Sequence, residues 1–87
     1  MAHVIYTDNS SVEIHPEDPA EGFTCEEIQT AIDGYFEVIP TKDKNWILLV
    51  DEEGQLKGKE KNEQATILAG QFICGTAILC TKSEMGV

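Results

Sequence analysis

The residues able to do chemistry are few and mostly acidic. His3 and His15 share a short N-terminal segment with Glu13, Glu17 and Asp18. Imidazoles beside carboxylates could hold a metal ion or act as a base. Their spacing matches no ligand motif, however, and they read as surface groups. Glu26–Glu27 and Glu52–Glu53 are sequence neighbours that diverge on a helix, which makes them poor general acid and base partners. No G-x-S-x-G, H-E-x-x-H, P-loop or G-x-G-x-x-G occurs. Cys25 falls at an expected helix start, where the dipole lowers a thiol pKa, but Glu26 and Glu27 beside it disfavour a thiolate. Cys25, Cys74 and Cys80 lack CxxC spacing, and three cysteines cannot all pair within one chain. They read as small apolar residues in a reducing compartment. The expectation is a non-enzymatic protein with no metal and no cofactor.

Charge is the stronger signal. The net charge is −10, with no arginine, and it is unevenly distributed. Up to Glu53 thirteen acidic residues face only Lys42 and Lys44; from Gly54 onward four lysines face three glutamates. Duplex binding needs a basic face, so direct nucleic-acid binding is disfavoured, and anionic membrane surfaces are disfavoured for the same reason. Glu13, Glu17, Asp18, Glu26, Glu27 and Asp33 form a candidate acidic face for a basic protein partner. The segment Val50–Thr66 instead gathers Lys57, Lys59 and Lys61 ahead of Asn62. Tyr35, Lys57, Asn62 and Thr66 are the candidates for a small anionic-ligand site, since a helix start favours an anion. The plainer alternative is that these lysines are solvated and balance the acidic remainder.

The elements that must position these groups follow from pattern. Eighty-seven residues make one compact domain, 1–87, burying roughly 60% of the unfolded surface. Ala2–Tyr6 and Ser11–Ile14 flank TDNS as a hairpin. Thr24 and Glu27 form a capping box, with Phe23 and Ile28 at the hydrophobic-staple positions, for a helix from Cys25 to Asp33 closed by Gly34. YFEVIP and WILLVD read as strands, the second buried on both faces. DEEG is a turn, with Gly54 at a position suited to positive φ, and QLKG a short return strand. Asn62 caps a second helix, Glu63–Ala69, closed by Gly70. QFICGTAILCT is a long last strand with Gly75 marking a bulge or close approach. The order ββαβββαβ predicts an α+β domain, a mainly antiparallel sheet with two short helices on one face or at an edge. The apolar surplus of WILLV and FICGTAIL predicts a homo-oligomer that covers it. The longest apolar run, Trp46–Val50, is far short of the ~20 residues of a membrane span, and MAHVIYTDNS lacks signal-peptide features. The expected location is the cytoplasm.

Gly34, Tyr35 and Glu37, then Asp51–Gly58 leading to Asn62, Ala65 and Thr66, then Ile73 and Gly75, together resemble a small family catalogued as domain of unknown function 3846. The resemblance spans roughly Phe23 to Cys80, and its middle block is the most specific. The chain departs from the pattern at Lys59-Glu60-Lys61, where a short apolar or proline-containing spacer is expected. The resemblance supplies no reaction, cofactor or catalytic residue. It implies a phage or mobile-element origin and a bacterial host cytoplasm. The functional expectation is a binding protein that docks on and inhibits a host protein through its acidic face, by imitating nucleic acid in one version. The alternatives are an oligomeric binder that sequesters a small anionic metabolite or nucleotide, and an accessory domain without independent activity.

Overall fold

The computed structural model describes residues 2–85. Two hairpins form first along the chain: β1 (Ala2–Ile5) with β2 (Ser11–Ile14), and β3 (Phe36–Pro40) with β4 (Trp46–Asp51). The last strand, β5 (Ala77–Thr81), inserts between them, giving the antiparallel order β2-β1-β5-β4-β3. Helix α1 (Cys25–Ile32) and helix α2 (Glu63–Ala69) complete the fold. A 3-10 turn, Lys82–Glu84, follows β5. The domain is α+β with a wholly antiparallel sheet.

Period-two alternation assigns the side chains to two faces. Register aligns Val12, Val4, Ile78, Leu49 and Val38 in one row across the sheet. The centre of this row lies under α1, whose Ile28 and Ile32 are buried on Ile47, Leu49, Ile78 and Cys80. The opposite face carries Ile5, Leu48, Val50 and Ala77, packed with Ala65 of α2 and with Ile73. The helices therefore lie on opposite faces, not together on one face or at an edge. This explains WILLV: Ile47 and Leu49 meet one helix layer while Leu48 and Val50 meet the other, and all four are buried. That run needs no second subunit to cover it.

Two expected strand segments take other forms. Gln55–Gly58 is not a return strand. Glu52–Gly58 winds through successive turns, with the Lys57 N–H donating to the Glu53 carbonyl (2.9 Å) and the Lys59 N–H to the Gly54 carbonyl (3.0 Å). Local helical-type bonds satisfy the backbone there, so no ladder is needed. Gly54 takes no positive φ; it is glycine for space, because a Cβ would come within 2.5 Å of the Cys74 carbonyl oxygen. The last strand starts only at Ala77, and Gly75, at φ +90°, turns the chain before it.

Both helix starts behave as their sequences dictate. The Thr24 hydroxyl accepts from the Glu27 N–H (3.1 Å), and the Glu27 carboxylate accepts from the Thr24 N–H (3.2 Å). Asn62 caps α2 through the Ala65 N–H (3.0 Å). Gly70 takes the left-handed conformation that ends α2. At the end of α1 the left-handed residue is Asp33 (φ 58°) and not Gly34.

Candidate functional site

The lysine-rich segment closes over a single buried carboxylate. Asp51 ends β4 with its side chain 1% exposed. Its Oδ2 receives Lys59 Nζ at 2.7 Å and Lys57 Nζ at 3.0 Å, and its Oδ1 accepts from the Glu53 N–H at 2.9 Å. Burial alone would raise the Asp51 pKa. The Lys59 ammonium, the Glu53 N–H and the Lys57 ammonium outweigh it and hold the group at about 2. The hydrogen bond to Asp51 in turn raises Lys57.

The same ammonium groups finish α1. Lys59 Nζ donates to the carbonyls of Ile32 and Asp33, both at 2.9 Å. No basic residue lies in the last turn of α1 itself, so its C-terminal carbonyls draw their cations from 26 and 27 residues downstream. This close approach explains Gly34: a Cβ there would lie 2.6 Å from Asp51 Oδ2 and 2.8 Å from Lys57 Nζ. Gly75 plays the same part for the Lys59 stem, whose Cδ would be 2.8 Å from a Cβ. Lys61 sits 5.8 Å from the Phe72 ring centre, a cation–π distance.

Asn62 is fully buried and fully used. Its Nδ2 donates to the carbonyls of Ile5 (2.9 Å) and Gly75 (3.0 Å), while its Oδ1 serves as the α2 cap. Thr66 Oγ1 accepts from the Ile73 N–H at 3.0 Å. Of the four candidate anion-site residues, then, Lys57 is spent on Asp51, and Asn62 and Thr66 are spent on backbone. Tyr35 is 66% exposed, its neighbour Phe36 packing under α1. The segment that carries these residues joins β1, β4, α1, α2 and the approach to β5 as a clamp.

The acidic candidates fare differently. Glu17, Glu26 and Glu27 line one groove beside α1, together with His15. Glu13 joins them through His15, whose Nε2 lies 3.0 Å from Glu13 Oε2. Asp18 stays in the preceding loop, its Oδ1 accepting from the Ala20 N–H (3.0 Å). Asp33 lies at the other end of α1, where its carbonyl faces the lysines. Glu27 has a structural duty as well: its carboxylate also accepts from the Glu17 N–H (3.1 Å). The Glu17 N–H and then the Thr24 N–H lower its pKa.

Cys25 is exposed at the first turn of α1, whereas Cys74 and Cys80 are buried. Burial pushes the Cys80 thiol up to about 11. His3 pairs with Glu13 across the β1–β2 ladder. Among the described residues no helix is long and apolar enough to cross a membrane.

A family model covers this architecture almost end to end, matching residues 1–86. The chain belongs to the family described as Domain of unknown function (DUF3846). No curated protein and no solved structure matches the chain. Several of the residues that carry the family resemblance also build the clamp: Gly34, Asp51, Lys57, Asn62 and Gly75. Sequence reasoning passed over Asp51 and Lys59. The available signal was an acid ending an apolar strand, since a buried carboxylate requires cations nearby. Lys59, in the stretch that departs from the family pattern, is the cation closest to it.

Proposed function

We propose that the protein is a small non-catalytic binding module that docks through its acidic face on a basic surface of another protein. One observation carries this reading. The first 41 residues hold nine carboxylates and no lysine or arginine, while Lys57 and Lys59 of the basic segment are paired with Asp51 and the end of α1. Two of the chain's six lysines are thus engaged away from the acidic face. Complementary charge speeds encounter and selects partners. In a phage or mobile element such a partner is a host factor, and an array of carboxylates competes with nucleic acid for its basic surface.

The test is affinity capture from bacterial lysate at physiological salt. Glu17→Lys, Asp18→Lys and Glu26→Lys together are expected to abolish retention of basic proteins while leaving the far-UV circular dichroism spectrum unchanged. Glu27 is left intact, because reversing it would break the capping box. Undiminished capture by the triple variant would end this reading.

A further inference from the structure

A groove of about 520 Å³ runs between the end of β2 and the outer side of α1. That volume falls within the ~300–1,000 Å³ typical of ligand clefts. Its floor is apolar, formed by Ile14, Phe23 and Ile78, and its rim carries Glu17, Glu26 and Glu27. Resting on the acidic-face reading above, we propose that this groove seats a basic amphipathic peptide segment of the partner protein. An aliphatic side chain of the segment lies on the floor, and its ammonium or guanidinium groups meet the rim.

Three features set this chemistry. The elements that carry the rim, the loop after β2 and α1, contain no lysine or arginine, and neither do β1 and β2, so complementary charge is best supplied from outside. The Glu27 carboxylate is fixed by two backbone N–H groups, from Thr24 and Glu17, and presents an oriented anion without further ordering. The apolar floor rejects a bare cation as sole occupant and suits the methylene stem of lysine or arginine, which lies on apolar surface while its head stays with polar groups. A polyphosphate or an anionic membrane would be repelled by the same rim.

The test uses two synthetic peptides of equal positive charge, one alternating lysine with leucine and the other lysine with serine, titrated into the ¹⁵N-labelled full chain. The lysine–leucine peptide is expected to shift the amides of Ile14, His15 and Thr24 to Ala31. It should bind about ten-fold or more tighter than its serine counterpart. Ala31→Phe crowds the groove without changing charge and should erase that difference, while leaving the weaker lysine–serine binding intact. Should Ala31→Phe fail to fold by circular dichroism, Thr30→Phe on the same wall serves instead. Equal affinity for both peptides, insensitive to either aromatic variant but weakened by Glu17→Gln with Glu26→Gln, would overturn the groove and leave the acidic-face reading standing. Shifts confined to the α2 side of the sheet would also overturn the groove. Absence of binding by either peptide at millimolar concentration would remove both.

Discussion

Asp51 concentrates the electrostatics of the molecule in one side chain. A carboxylate 1% exposed is tolerated only because two ammonium groups and an amide surround it. Its pKa of about 2 lies below the ordinary 3.8. A depressed folded-state value stabilises the native state above the unfolded pKa and loses that contribution as pH falls through the folded one. The window is therefore pH 4 down to pH 2, and the contribution is about 2 kcal/mol. Asp51→Asn is expected to cost about 3 kcal/mol at pH 6, because two clustered ammonium groups lose their counter-ion. The cost should shrink markedly at pH 2, where the wild-type carboxylate is itself becoming protonated. Urea unfolding at both values checks this, and an equal loss at both would contradict it.

At the scale of elements, the clamp depends on how closely backbone can approach side chain. Gly34→Ala drives a methyl into the Asp51 carboxylate and the Lys57 ammonium, at 2.6 and 2.8 Å. It should destabilise by about 2 kcal/mol, against the gain of about 0.4–1 kcal/mol that glycine to alanine gives where the methyl fits. Asn62→Ala removes an N-cap and strips the Ile5 and Gly75 carbonyls of a buried donor. About 3 kcal/mol is expected, the cap accounting for about 1 of it. Thermal unfolding of the two variants decides both; a wild-type Tm in either would show the clamp to be dispensable.

Over the whole molecule, a net charge of −10 opposes compaction through self-repulsion. Salt screens exposed charges far more than the buried Asp51 cluster. Raising sodium chloride from 10 to 200 mM should therefore increase Tm, by about 4–8 °C for each kcal/mol of repulsion removed in a domain of this size. A fall in Tm would instead mean that exposed ion pairs outweigh the repulsion. Most carboxylates of the acidic face, Glu17, Asp18, Glu26 and Glu27, lie on a loop and a helix whose own sequences carry no cation.

What the sequence determined by itself was local. The capping box at Thr24 and Glu27, the Asn62 cap and Gly70 close of α2, both hairpins and the two-sided burial of WILLV follow from interactions a few residues apart, or from a strand's period of two. What only the tertiary structure decided was non-local. β5 enters between hairpins that are complete without it, and α1 and α2 take opposite faces because β4 offers apolar side chains to both. Lys57 and Lys59 point inward because Asp51 and the carbonyls of Ile32 and Asp33 converge on them from 6 to 27 residues away. Pattern alone reads a lysine run before an Asn-capped helix as a place for anions. The fold supplies its own anion, since a buried carboxylate and the C-terminal carbonyls of a helix both attract cations, and one short turn delivers them to both.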